Sequence, residues 1–469
     1  MKLHHILPLA ALLSMPAAAQ ELKTSYFMES STTRHEMNPA LLDKPFVTMP
    51  ILPIGYFNIG TTGNVGLKDF VYKMEPGWQG YGMNGNNLTT FMHPNVSADD
   101  FLGGLKDNNR LSVNLKYQLF GMGFRSWGGI SSIELNLRSN TNVALPKDLF
   151  EFMKTAGQKT DYDISDIGLR SETYAELGLG HSHKIGDKLT IGGKMKFLFG
   201  LAYADMLGQN INLHLSDDKW SVKGNINAKL SLMDANLEFD EDKPDVETGR
   251  PRVDGIDDVK GGLSGFGMAF DLGATYQVLP DLKVSAAITD LGFINWKNTH
   301  KATSAGEWEF DGFDNIYVTG DKGPDNKYEI GNQFEDLGDD LGDMFAVYYD
   351  GKNSQSKALA ATLSLGAEYT LPAYRKLKFG FLYSSRMAGR FSYHQGVFSA
   401  NVAPLKWFDA ALSMGFTSSG VTGGLVASLH GKRVNFTIGT DRFFGKMSKQ
   451  FIPLNRANSN LTIGLSFPM

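Results

Sequence analysis

Residues Gly265 to Trp296 read GFGMAFDLGATYQVLPDLKVSAAITDLGFINW. Apolar side chains recur at every second place. Phe266, Met268, Phe270, Leu272, Ala274, Tyr276 and Val278 share one face, while Gly265, Gly267, Ala269, Asp271, Gly273, Thr275 and Gln277 share the other. After a turn at Pro280-Asp281, Leu282, Val284, Ala286 and Ile288 alternate with Lys283, Ser285, Ala287 and Thr289. A period of two marks a β-hairpin with unlike faces. One face suits hydrocarbon and the other suits water and small side chains, which fits a half-buried antiparallel sheet or a membrane barrel.

The same pattern recurs along the chain, and the spacing of its interruptions separates these two architectures. Leu111, Val113, Leu115, Tyr117 and Leu119 alternate with Ser112, Asn114, Lys116 and Gln118, and a turn at residues 126–129 leads into Ile133, Leu135 and Leu137. Numbered from a periplasmic N-terminus with a first strand beginning at Phe46, the even connections are all tight, around Trp127, Gly186, Asp218, Pro280, Ala373, Pro404 and Lys432. The long connections all fall at the other end. Short periplasmic turns opposite long outer loops are the signature of a transmembrane outer-membrane barrel. The reading is an all-β, antiparallel β-barrel of about 14 to 16 strands over residues 46–469. Trp127, Trp220, Trp296, Trp407 and Phe408 are expected in an interfacial aromatic girdle.

The N-terminus places the chain outside the cytoplasm. Lys2, His4 and His5 precede an apolar run from Ile6 to Met15, and Ala17-Ala18-Ala19 supplies small residues for cleavage, so residues 1–19 read as a signal peptide. The sequence contains no cysteine, which removes disulfides, thiolate metal sites and a lipoprotein anchor. Beyond the signal peptide there is no run approaching the roughly 18 apolar residues of a membrane helix. A net charge of -5 with no basic patch argues against a nucleic-acid partner.

Several stretches resemble one family of outer-membrane barrels of uncharacterised function. They are Tyr26-Phe27-Met28-Glu29, the run from Arg34 to Ala40, Gly60 to Leu67, Leu145 to Phe150, Phe270 to Tyr276, and Asp290 to Trp296. More distantly, Asn38-Pro39-Ala40 is similar to a motif of long-chain fatty-acid transporter-like barrels and of barrels associated with type IX secretion. The resemblance implies that residues 20–45 form an N-terminal hatch blocking the lumen, with Asn38, Pro39 and Ala40 at its anchor. The third strand, Ile130 to Arg138, lacks the proline or internal glycine that a kinked lateral gate would use.

Chemistry-bearing motifs are sparse. There is no Gly-x-Ser-x-Gly elbow, no His-Glu-x-x-His and no phosphate loop, so no enzyme activity, cofactor or metal is expected. His181 and His183 read as an interfacial pair. The acidic segments, Glu238 to Asp258 and Asp321 to Asp343, read as solvated loop charge that is unable to fold alone. One amphipathic helix stands out, in which Leu145, Leu149, Phe152 and Met153 fall at i, i+4, i+7 and i+8 after Pro146. These four are the candidate entry site for a hydrophobic small molecule above the hatch. The expected function is passive, hatch-plugged transport of a small, hydrophobic solute across the outer membrane of a Gram-negative bacterium, in contact with outer-membrane lipid. A barrel that docks a secreted or surface protein is the alternative, and a lipid-modifying hydrolase a remote third.

Overall fold

The structure, a computed structural model, describes residues 21–49, 56–82, 87–155, 157–216, 219–232, 235–245, 247–259, 261–304, 306–310, 346–417, 420–442 and 459–469. The expected signal peptide and the acidic residues Asp321, Asp325, Glu329, Asp339, Asp340 and Asp343 lie outside them.

Period-2 sequence becomes a closed antiparallel barrel of 14 strands. The first, β1, comprises Phe46–Thr48 and Tyr56–Gly63. It is followed by β2 (Asn108–Ser126), β3 (Gly129–Pro146), β4 (Gly168–Ile185) and β5 (Leu189–Leu215). Strand β6 comprises Trp220–Leu232 and Gly265–Leu279, β7 is Leu282–Thr303, and β8 comprises Tyr348–Ala358 and Ala361–Thr370. Then come β9 (Leu377–Met387), β10 (Tyr393–Leu405), β11 (Phe408–Thr417), β12 (Gly420–His430), β13 (Asn435–Thr440) and β14 (Ser459–Pro468). Each strand pairs with its sequence neighbours, and β1 pairs with both β2 and β14, which closes the ring. Closure matters in hydrocarbon, where each unpaired backbone group costs several kcal/mol.

The outer wall exposes Phe266, Phe270, Leu272, Phe398, Leu412 and Val421, among many others. In water such a surface would drive aggregation. In a bilayer it is the lipid-facing band. The chain is an outer-membrane β-barrel. Tight turns such as those after Ser126, Ile185, Leu279 and Leu405 lie at one end, with Phe46 and Pro468 beside them. Longer connections lie at the other.

The tight connection after Leu215 departs from the sequence reading, because it belongs to the long-loop end. Strand β5 is 27 residues long, not two strands. Its residues 202–215 pair with the upper part of β6 and residues 189–200 with the lower part. Strand β6 is therefore one descending strand interrupted by an excursion between Leu232 and Gly265. The pair expected around Asp218 merges into this arrangement, and the strand number falls at the lower bound. The acidic excursion also folds: Asn236–Asp240 pairs with Arg252–Asp258, across a turn where Asp245 accepts hydrogen bonds from Thr248 and Arg250.

A β-bulge reverses one further expectation. At Asp290, in the left-handed region with φ 59°, the register of β7 against β6 slips by one residue. Unbroken alternation would aim Ile294 and Trp296 at lipid. After the bulge Leu291 and Phe293 face out, and Trp296 is buried inside, stacked on Tyr203 at 5.2 Å between ring centroids. Trp296 is thus not a girdle residue. Trp220 also departs from the girdle, packing against a core of the outer loops. Trp127 and Trp407 are exposed at the short turns, as an interfacial belt requires.

Candidate functional site

Residues 21–45 pack against inward positions of strands on different sides of the barrel, the turn Pro39–Leu41 on β4, β5 and β6 and the turn Lys23–Ser25 on β10, β11 and β12. The motif Asn38-Pro39-Ala40 shows why the segment can sit so close to the wall. Asn38 caps a short 3-10 turn, Pro39–Leu41, by accepting from the Ala40 N–H at 3.0 Å, and Pro39 begins that turn without an orphan N–H. The Asn38 amide donates to the Tyr26 hydroxyl at 3.0 Å. The turn rests on β4, β5 and β6. At Gly192 a Cβ would overlap the Pro39 and Ala40 backbone, and at Gly273 it would overlap the Asn38 side chain. These glycines permit the contact. On the other wall, Asp441 accepts from the Lys23 and Thr24 N–H groups at 2.7 and 2.8 Å, and the Thr24 and Ser413 hydroxyls meet at 2.6 Å.

Between these two footholds a charged network locks the segment to the strands. Glu36, buried, lies 2.5 Å from the Lys116 ammonium on β2 and 3.5 Å from Lys194 on β5. Lys116 also reaches Glu21 at 3.0 Å. Glu134 on β3 accepts from Lys194 at 2.8 Å and faces the His35 Nε2 at 3.0 Å. A second set continues along the wall: Lys196 contacts Asp271 at 2.7 Å and Asp290 at 2.6 Å, while Arg138 contacts Asp290 at 3.0 Å and Glu176 at 3.1 Å. The bulge at Asp290 is what aims that carboxylate inward. Its N–H donates to Asp271 at 2.7 Å, tying the strained residue to the network.

Burial pushes the Glu36 carboxyl up, and the charges of Lys116, Lys194 and His35 more than offset it, holding the group well below the usual carboxylate range. Burial also raises Glu29, but its contact with Lys378 at 2.5 Å brings it down to about 2. Glu29 and Glu36 are therefore both ionised at neutral pH. His35, Glu36 and Glu134 place ligand-type atoms within 4.8 Å of one another. The Lys194 ammonium already stands between the two carboxylates, so lysine supplies the cation there.

The segment divides the lumen. On the short-turn side lies a chamber of about 590 Å³, lined by Phe27 to Thr32, His35, Leu41 to Phe46 and turn residues such as Arg375 and Lys406. On the far side a small chamber of about 70 Å³ is lined by Glu21, Lys23, Glu36, Arg138, Asp290 and Arg386 among others. His35 lines the first chamber and Glu36 the second. Above the small chamber, at the outer mouth, is a cavity of about 180 Å³.

The four apolar residues expected to form an entry site do not share a cavity. Leu145 ends β3, and the helix, α1, runs from Lys147 to Thr155. Leu145 packs with Phe150 against Val65, Phe91 and Phe101 of the first long loop. Leu149 and Phe152 pack on a different core, with Tyr162, Ile164, Ile211 and Leu213, and Met153 is exposed. The helix is a wedge between two loop cores. His181 and His183 lie on the outer wall beside Trp127, where the His181 Nδ1 meets the Ser131 hydroxyl at 2.9 Å. The network residues Lys116, Glu134, Arg138, Glu176, Lys194, Lys196, Asp271 and Asp290 had no place among the expected sites. For all but Asp290, which only the bulge turns inward, the signal was present: each is a charge at an inward position of an alternating strand, as in Ile133-Glu134-Leu135.

A model described as a family of unknown function, DUF5723, matches residues 39–441. No curated protein matches the sequence. Solved structures with a similar fold include the Ralstonia pickettii toluene transporter TbuX, at 10% identity and TM-score 0.42 over 96% of this chain and 95% of that one. The Pseudomonas putida toluene transporter TodX aligns at 9% identity and TM-score 0.40, covering 96% and 94%. The translocator domain of the autotransporter NalP from Neisseria meningitidis aligns at 7% and 0.32, covering 91% and 89%. At these scores the likeness carries no argument about activity.

Proposed function

Since the chain belongs to this family of unknown function, we propose a role from its geometry: a passive outer-membrane conduit for small solutes, closed here by residues 21–45 acting as a hatch. One observation carries the reading. The segment lies between two chambers, with Phe27 to Thr32 lining one and Glu21, Lys23 and Glu36 the other, and it is held by ion pairs and hydrogen bonds as well as by apolar packing of Leu22, Phe27, Met28, Met37 and Leu41 on the wall. The residues expected to form a hydrophobic entry site, Leu145, Leu149, Phe152 and Met153, are divided between two loop cores and the surface. The small chamber beside Glu36 and Arg138 is lined mainly by polar groups, while the two larger cavities offer more apolar than polar surface. An interface for a secreted protein has no comparable observation behind it.

The absence of cysteine allows a direct test. Thr24→Cys with Ser413→Cys places two thiols where hydroxyls now meet at 2.6 Å. In liposomes, the reduced protein is expected to pass small polar solutes and the oxidised protein to block them. Equal flux in both states, or none in either, would overturn the hatch reading.

A further inference from the structure

The cavity of about 180 Å³ at the outer mouth has an unusual lining in a chain of net charge -5. Two guanidinium groups, Arg110 and Arg386, reach it, and among the described residues no carboxylate lines it. Neither arginine makes an ion pair within the described residues. Arg386 donates to the neutral side-chain oxygens of Asn114 and Asn140, at 3.4 and 3.3 Å. Asn140 in turn donates to Glu172 at 3.4 Å, so the one carboxylate linked to Arg386 is reached through an amide and lies in the neighbouring small chamber, not in this cavity.

Further donors converge on the same space. Asn64, Ser112, Asn114 and Asn142 come from the β1–β3 wall, and Ser392 from the β9–β10 loop. That loop also brings Phe391, with Tyr393 beside it, to form an apolar side. Arg442 holds this side in place by donating to the Tyr393 hydroxyl at 2.9 Å and to the Thr62 hydroxyl at 2.7 Å. Arg386 and Tyr393 line both this cavity and the small chamber above the septum, so the two are consecutive.

We propose that the outer cavity is a binding vestibule for a small organic monoanion, a carboxylate with a compact apolar body, seated between Arg386 and the Phe391–Tyr393 side. The assignment rests on the conduit reading for its purpose and names that conduit's solute class. Size limits the ligand: the cavity is below the roughly 300–1,000 Å³ of drug-sized sites, so a long acyl chain does not fit within it. A guanidinium at a cavity lined by no carboxylate gives an anionic solute a charge-assisted partner that a neutral solute lacks.

Benzoate, benzyl alcohol and inorganic phosphate are the probes, titrated calorimetrically against the full chain in detergent. Benzoate is expected to bind more tightly than either of the others. Arg386→Gln should weaken benzoate by about tenfold to a hundredfold, the loss of one hydrogen bond to a charged group. Arg386→Lys should recover part of the loss, Arg110→Gln, being exposed, should cost less, and Lys223→Gln on the rim of β6 should change nothing. Retention of heat-modifiable mobility shows that each variant is folded. Equal binding of benzyl alcohol or phosphate, no binding of benzoate, or an unchanged Arg386→Gln would overturn the assignment. Benzoate binding without redox-gated flux in the cross-linked protein would spare the vestibule and remove the conduit, and flux without benzoate binding would do the reverse.

Discussion

Replacing Glu36 by glutamine tests whether charge holds the septum. Its carboxylate is buried and contacts Lys116 at 2.5 Å and Lys194 at 3.5 Å. Removing one partner of a buried ion pair costs about 3–5 kcal/mol when the other charge is stranded. Neither lysine is stranded here, because Lys116 keeps Glu21 at 3.0 Å and Lys194 keeps Glu134 at 2.8 Å. The expected loss of docking free energy is therefore below that range, about 2–3 kcal/mol, which raises the undocked population by about 30- to 150-fold. Arg34, buried within the segment, reports that population through trypsin. When opening is fast relative to cleavage, the rate of cutting after Arg34 follows the open fraction and rises by the same factor. Glu29→Gln provides the comparison: its partner Lys378 is at 2.5 Å, but the carboxylate is half exposed, so the expected change is only about 0.2–1 kcal/mol. If Glu36→Gln accelerates cleavage no more than Glu29→Gln, while both barrels keep their heat-modifiable mobility, the ionic attachment is not what docks the segment.

Acid should loosen the same contact. Glu29 and Glu36 are depressed in the folded state relative to an ordinary 4.5, so the undocked segment binds more protons. Docking is at full strength above about 4.5 and is lost as pH falls from there toward about 2, the Glu29 value. Deuterium uptake of residues 21–45 at stepped pH checks this, and uptake unchanged down to pH 3 would contradict it. Gly192→Ala adds a methyl group against the Pro39–Ala40 backbone, which cannot swing aside as a side chain could. It should cost about 1–3 kcal/mol of docking, again read by cleavage after Arg34 with an unaltered barrel. Trp296→Ala should destabilise the barrel by about 3–5 kcal/mol in urea titrations in lipid vesicles, because the ring is fully buried against Tyr203. Trp407→Ala, exposed at a short turn, should cost much less in the same titration.

The sequence by itself determined the class of architecture, because alternation and turn length are local properties. Phe266, Phe270 and Leu272 against Ala269, Asp271 and Gly273 set which side meets lipid, and the tight turns at Trp127, Gly186 and Pro280 set which end faces inward. Asn38-Pro39-Ala40 marked a short capped turn that packs on β4, β5 and β6. What only the tertiary structure decided depends on partners far apart in the chain. The connection after Leu215 looked like any other tight turn, and only the pairing of β5 with both halves of β6 places it at the outer end and settles the strand number. The bulge at Asp290 shifts parity by one residue, which no periodicity at Leu291 or Trp296 records, and so Trp296 moved from lipid to core. Inward charges such as Lys194, Lys196 and Glu134 were legible as inward, but their partners Glu36 and Asp290 sit on other elements. Curvature of the closed wall brings these together, just as it brings Arg110 and Arg386 to one cavity lined by no carboxylate, because facing positions across a barrel are fixed by strand number and stagger and not by any stretch of sequence.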